Sequence, residues 1–102
     1  MAEREFRDVG GNRVGFIIGT DVKDNYGNRV GYINGNEVRD SYGKRKGYIT
    51  GEGQIRDIYE NRVGYINGNE IRDTYGNRVG YPLESASGIE MAAAAFLLFG
   101  LR

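Results

Sequence analysis

The chain has 102 residues, enough for one small domain, and its 14 basic and 14 acidic residues give a formal net charge of zero. This balance argues against the broad basic surface of a nucleic-acid binder. There is no cysteine, so disulfides and thiolate metal sites are excluded, and no histidine, the commonest general base and transition-metal ligand. We therefore expect no enzyme, no catalytic residues, no cofactor and no metal.

Residues 1–6 are polar and of mixed charge, unlike a signal peptide. Localisation is left open between the cytoplasm and export, the latter if a signal peptide was removed ahead of residue 1.

A repeat of 16 or 17 residues fills the chain from residue 6 to residue 83. Each unit contains a basic residue followed by aspartate and, further on, a glycine followed by an aromatic residue. The glycine-aromatic pairs are Gly15-Phe16, Gly31-Tyr32, Gly47-Tyr48, Gly64-Tyr65 and Gly80-Tyr81. This length suits one β-hairpin and its link to the next, because helical repeats need about twice as many residues.

Two turn signals recur. Asp24-Asn25-Tyr26-Gly27 predicts a type I turn that ends in a left-handed glycine, and Asn34-Gly35 predicts a tight type I′ hairpin. The two turns in each unit therefore predict ten short strands in an antiparallel meander. Glu60 stands where the turn favours glycine, which costs ~1 kcal/mol if that residue is left-handed. Pro82 cannot donate to a ladder, so we expect pairing to end there.

One face of these strands should form the core. The residues assigned to it are Ile17, Ile33, Ile49 and Ile66, with Val22, Val38, Ile55 and Ile71. The five recurrent glycines fall on the same face. Two interpretations of them stay open: they admit a bulky group close to the backbone, or each permits a bulge.

The C-terminal segment is the most apolar part of the chain. Ser87 and Glu90 match a capping box, and four alanines followed by Phe-Leu-Leu-Phe predict a helix from about 88 to 99. We expect Gly100 to end it and Arg102 to favour its C-terminal dipole. At ~18 Å the helix is too short to span a bilayer.

A helix that is apolar on all sides should be buried on all sides, and a closed ring of strands covers every side. We predict a single all-β domain over 1–102, with five hairpins at 6–83, a linker at 84–87 and a central hydrophobic helix at 88–100. The alternative is that the helix packs against a partner subunit or a membrane surface.

With five units of the form Ile-Arg-Asp-x-x-Gly-x-x-x-Gly-Tyr-Ile and the tail Ala92 to Phe99, the chain resembles the small bacterial five-fold β-flower proteins. The resemblance covers residues 6 to about 100. It implies hairpin petals around a central axis, and it brings no assigned function and no catalytic residues. Many such proteins look secreted. A looser architectural similarity is to Tubby-like barrels, which surround a hydrophobic C-terminal helix.

The residues predicted to form a ligand surface are the strand tyrosines Tyr32, Tyr48, Tyr65 and Tyr81, with Arg39, Arg56 and Arg72 beside them. Tyrosine offers a flat apolar face and a hydroxyl, which suits contact with sugars or proteins. Ordinary cross-strand packing under arginine stems explains the same residues. Likewise, the repeated aspartates and asparagines are explained by turns as well as by a calcium site.

We therefore expect a structural or binding module, with multivalent binding of a glycan or protein on the five-fold repeated surface. The alternative is a lipid-associated barrel that uses its C-terminal helix. The expected partners include no nucleic acid, and a membrane is disfavoured. A monomer or a small homo-oligomer fits the sequence.

Overall fold

The computed structural model describes residues 3–99, which form ten β-strands and one α-helix. The strands are β1 (Glu3–Asp8), β2 (Arg13–Ile18), β3 (Asp21–Asp24), β4 (Arg29–Asn34), β5 (Glu37–Asp40), β6 (Arg45–Ile49), β7 (Gln54–Asp57), β8 (Arg62–Asn67), β9 (Glu70–Asp73) and β10 (Arg78–Pro82). The helix α1 is Gly88–Phe99.

The strands form a closed barrel. Each strand pairs antiparallel with its neighbours in the chain, and β1 pairs with β10 to close the ring. The closing register places Phe6 opposite Pro82. As predicted, the strand ends at Pro82, and one backbone hydrogen bond follows it, from the Leu83 amide to the Glu5 carbonyl at 2.9 Å. The predicted barrel of five hairpins is thus confirmed.

One end of the barrel carries the turns that begin with aspartate, and we call it the aspartate rim. In the turn after β3, the Gly27 amide donates to the Asp24 carbonyl at 3.1 Å, and Gly27 has φ +86°. A carboxylate oxygen of Asp24 accepts from the amides of Tyr26 and Asn28, each at 2.9 Å. The prediction of a type I turn with a left-handed glycine is confirmed. Glu60 also takes the left-handed conformation, with φ +70°.

The turns at the opposite end differ from the prediction. Asn34 pairs with Glu37, so the two central residues of this turn are Gly35 and Asn36. Gly35 is left-handed, with φ +64°, and Asn36 is not. A left-handed residue at the first central position alone defines a type II′ turn. The predicted type I′ turn is wrong because Asn34 is the last residue of its strand.

The core consists of α1 and the inner face of the barrel. Met91 to Phe96 are buried, and so are Phe6, Ile17, Val22, Val38, Ile55 and Ile71. Ile33, Ile49 and Ile66 are half-buried and pack against this core. The predicted core face is therefore right, although Phe6, which takes the place of Val22 in the first unit, was not assigned to it.

Three of the inward glycines lie against the helix. A Cβ atom at Gly15 would stand 2.9 Å from a methyl carbon of Leu97, and one at Gly80 would stand 2.8 Å from a methyl carbon of Leu98. At Gly47 it would overlap the Phe96 ring. The strand register also shifts opposite these glycines, between Phe6 and Arg7 opposite Gly15 for example. Both interpretations of the glycines therefore hold, close approach and bulge.

The helix begins with the predicted capping box. The Glu90 amide donates to Ser87 Oγ at 3.3 Å, and the Ser87 amide donates to Glu90 Oε1 at 2.9 Å. The expected roles of Gly100 and Arg102 fall outside the described residues. No helix within residues 3–99 is long and apolar enough to cross a membrane.

Candidate functional site

The strand aromatics lie on the outer face of the barrel, because they alternate with the inward glycines. Each ring is half-buried beneath an arginine of its own strand. The Cζ-to-centroid distances are 4.4 Å for Arg13 and Phe16, 5.0 Å for Arg29 and Tyr32, 4.8 Å for Arg45 and Tyr48, 5.0 Å for Arg62 and Tyr65, and 5.4 Å for Arg78 and Tyr81. These cation–π contacts stabilise the surface and cover part of each ring.

The predicted site arginines share this outer face but lie beside the rings. Arg39 is the cross-strand neighbour of Tyr32. Its guanidinium donates to the Gly43 carbonyl at 2.8 Å and to Glu37 at 2.8 Å. This arginine therefore holds a turn of the aspartate rim in place.

The same pattern recurs at Arg56 and Arg72. Arg56 donates to the Glu60 carbonyl at 2.8 Å, and Arg72 donates to the Gly76 carbonyl at 2.7 Å. Arg72 also bonds Glu70 at 2.6 Å, and this hydrogen bond holds the pKa of the Glu70 carboxyl below its usual value. The arginines predicted for ligand binding thus have turn-stabilising contacts, and a ligand role for them stays a prediction.

Tyr48 and Glu60 form a contact that the other units lack. The Tyr48 hydroxyl donates to Glu60 Oε1, which raises the pKa of Tyr48. In neighbouring units the equivalent hydroxyl meets a glycine: a Cβ atom at Gly43 would lie 3.4 Å from the Tyr32 hydroxyl. The tips of these strand tyrosines therefore reach the aspartate rim.

A second set of tyrosines stands on the rim itself. Tyr26, Tyr42, Tyr59 and Tyr75 occupy the third position of successive aspartate turns and are 76–93% exposed. We call these four residues the tyrosine rim. In the first unit, Gly10 stands at this position. Burying so little of a large aromatic side chain leaves its full apolar face available for binding.

The helix ends in the middle of this rim. It begins at the opposite end of the barrel, where a Cβ atom at Gly88 would lie 3.3 Å from Ile49. Leu97 and Leu98 reach the glycines near the aspartate rim. Phe99 follows and is 41% exposed. Exposed apolar groups therefore gather on one end of the barrel.

The strand rings were predicted to form the ligand surface, although Tyr26 already stands in a predicted turn. The signal that could have found the tyrosine rim is the turn position of its residues. The side chain at the third position of such a tight turn points away from the sheet, so a neighbouring strand cannot cover it.

The rim contains a cleft of about 230 Å³ lined by Arg29, Val30, Asp40, Ser41 and Tyr42. It lies between the start of β4 and the turn after β5, and Gly31 of β4 is paired with Asp40. An aromatic ring, an aliphatic floor, a hydroxyl and two charged groups therefore meet in one place. Within residues 3–99, no group of three or more acidic side chains is arranged to hold a metal ion.

Comparison with known proteins gives one match. A family model described as a 5-fold beta-flower protein matches residues 1–100. No curated protein and no solved structure matches the chain.

Proposed function

The chain belongs to the 5-fold beta-flower family, and from that premise we propose that it is a non-enzymatic binding module for a repetitive partner such as a glycan or a protein array. The observation that carries this proposal is the tyrosine rim: four large aromatic side chains, each at least 76% exposed, stand at equivalent positions on one end of the barrel. Large aromatic side chains are enriched at interaction sites.

The filled core supports binding at the outside. Met91 to Phe96 occupy the barrel centre, and the glycines around them leave no room for an added methyl group. A small molecule cannot enter without displacing the helix. The predicted belt of Tyr32, Tyr48, Tyr65 and Tyr81 with Arg39, Arg56 and Arg72 then extends the binding surface away from the rim.

Repetition gives the surface its advantage. Ten strands about 4.8 Å apart and tilted by about 40° form a ring about 20 Å across, so neighbouring turns stand about 12 Å apart. A polymer whose repeat matches this spacing engages several turns at once. Linked weak contacts raise the overall affinity by about 10²–10⁴-fold over a single contact.

The lipid alternative requires α1 to leave the barrel. Its buried stretch from Met91 to Phe96 supplies much of the core, so exposing it to lipid costs the packing of the whole ring. The proposed module therefore binds with its helix in place.

The test uses the full chain on an array of glycans and immobilised proteins. The variant with Tyr26, Tyr42, Tyr59 and Tyr75 all changed to alanine should lose binding while keeping its melting temperature. The matched control changes four exposed residues at the opposite rim to alanine, namely Asn34, Asn36, Asn67 and Asn69. This control should bind as the original chain does. Binding that survives the tyrosine variant, or sedimentation with phosphatidylcholine–phosphatidylserine vesicles instead, would contradict the proposal.

A further inference from the structure

The cleft beside Tyr42 has two apolar walls. Val30 is half-buried and packs against the core, so it forms a rigid floor. Tyr42 is 93% exposed and lines the same cleft. An aliphatic floor next to an exposed aromatic ring suits a ligand that has its own apolar face, such as the C–H face of a sugar ring.

The polar groups of the cleft have open hydrogen-bonding positions. Asp40 Oδ1 accepts from the amides of Tyr42 and Lys44, each at 2.9 Å. Where the turn contains asparagine, the second carboxylate oxygen of the aspartate also accepts a hydrogen bond. Asn77, for example, donates to Asp73 Oδ2 at 3.3 Å. Lys44 replaces that asparagine here, and within residues 3–99 no amide side chain donates to Asp40 Oδ2. This oxygen is open to a hydroxyl donor.

Donors face this acceptor across the cleft. Arg29 donates through Nε to Asp21 Oδ1 at 3.0 Å, and the arginine lines the cleft. The Ser41 hydroxyl lines the cleft as well and can donate or accept. A planar carboxylate and a planar guanidinium together match neighbouring hydroxyl groups, which need both an acceptor and a donor.

The charges favour an uncharged ligand. Arg29 is already paired with Asp21, and Asp40 adds a second carboxylate beside it. An anionic ligand would meet this carboxylate, and a cationic ligand would meet the guanidinium. A neutral polyhydroxyl ligand satisfies both groups without an unpaired charge.

The equivalent positions in the other four units lack some of the groups that line the Tyr42 cleft. At the equivalent position beside Tyr75, Arg62 donates to the Thr74 carbonyl at 3.0 Å and so spans the two elements. Lys46 and Ile58 replace the valine and the hydroxyl in the following unit, and Gly10 replaces the tyrosine in the first.

The position bearing Tyr26 is the nearest equivalent of the Tyr42 cleft. There, however, Asn28 donates to Asp24 Oδ2 at 3.5 Å, so the second carboxylate oxygen has a partner within the turn. The cleft at Tyr42 is thus the most complete of the five positions.

We propose that the cleft of Arg29, Val30, Asp40, Ser41 and Tyr42 binds one uncharged pyranose unit of a glycan, stacked on Tyr42 and hydrogen-bonded to Asp40 and Arg29. This inference rests on the proposed binding function and identifies its ligand class. It also makes one cleft dominant within a surface that is otherwise repeated.

The test applies the full chain to an array of uncharged, sulfated and uronic-acid oligosaccharides. Binding to uncharged members is expected, and Tyr42→Ala should weaken it about tenfold or more, the range of a central aromatic contact. Asp40→Asn keeps the turn acceptor and removes the charge, so it should weaken binding as well. Tyr75→Ala is the matched comparison, 86% exposed beside a position that Arg62 spans, and should weaken binding much less than Tyr42→Ala does. Asn67→Ala, at the opposite rim, is the control that should leave binding unchanged.

A titration of the ¹⁵N-labelled chain with the best uncharged oligosaccharide adds a second readout. The amides of Ser41 and Tyr42 should shift most. Binding only to charged glycans, or equal losses from Tyr42→Ala and Tyr75→Ala, overturns this inference and leaves the rim proposal standing. An array with no glycan bound by the chain overturns the inference, and no bound protein in addition overturns both.

Discussion

Replacing Phe96 by alanine tests how the helix is seated, and Phe99 provides the control. Phe96 is 8% exposed, and its ring lies over Gly47. Removing a buried phenylalanine side chain costs about 3–5 kcal/mol, because it combines lost burial with a cavity. Phe99 is 41% exposed, so Phe99→Ala should cost about 1 kcal/mol. The two residues belong to one helix and lie three positions apart.

The assay is thermal or urea unfolding followed by circular dichroism. For a domain of this size, each kcal/mol shifts the melting temperature by about 4–8 °C. Phe96→Ala should therefore lower it by at least ~12 °C, and Phe99→Ala by about 4–8 °C. Equal effects of the two variants would refute the reasoning, since a helix lying outside the barrel would not distinguish these side chains.

Three further predictions concern single residues. Glu60→Gly should raise the free energy of unfolding by about 1 kcal/mol, because glycine removes the left-handed strain and the lost bond to Tyr48 is exposed; a lower melting temperature than for Glu60→Gln would contradict this. Ser87→Ala should cost about 1 kcal/mol in urea unfolding by removing the cap, and no change would show that the cap contributes nothing. The pKa of Glu70 is lowered, so the charged carboxylate stabilises the folded chain at pH values above the ordinary glutamate pKa. This stabilisation is lost as the pH falls through the lowered pKa. Glu70→Gln should therefore flatten the fall in melting temperature between pH 6 and pH 3, and a fall as steep as in the original chain would count against the ion pair with Arg72.

Much of the fold could be predicted because the repeat fixes local structure. Asp24 to Gly27 encodes its turn through one side-chain acceptor and one left-handed glycine, and both act within four residues. Closure of the ring was inferred from the tail, since an apolar helix needs cover on every side. The type II′ turn was missed because register decides it: whether Gly35 is the first or second central residue depends on the pairing of Asn34.

The candidate site was harder to predict for a similar reason. Strand alternation places Tyr32 on the outer face, but which arginine covers its ring depends on the bulge that brings Arg29 over it. Arg39, its direct cross-strand neighbour, turns instead to the Gly43 carbonyl. The cleft at Tyr42 joins residues from two strands and a turn, so composition alone cannot reveal it.

The central claim is that α1 fills the barrel and leaves only the outer surface for binding. Nuclear Overhauser contacts test it most directly, from the α-protons of Gly15, Gly47 and Gly80 to the helix. These glycines belong to β2, β6 and β10, on separate parts of the ring. We predict contacts to Leu97, Phe96 and Leu98 respectively. Contacts from only one of these strands, or from none, would place the helix outside the barrel and contradict the account.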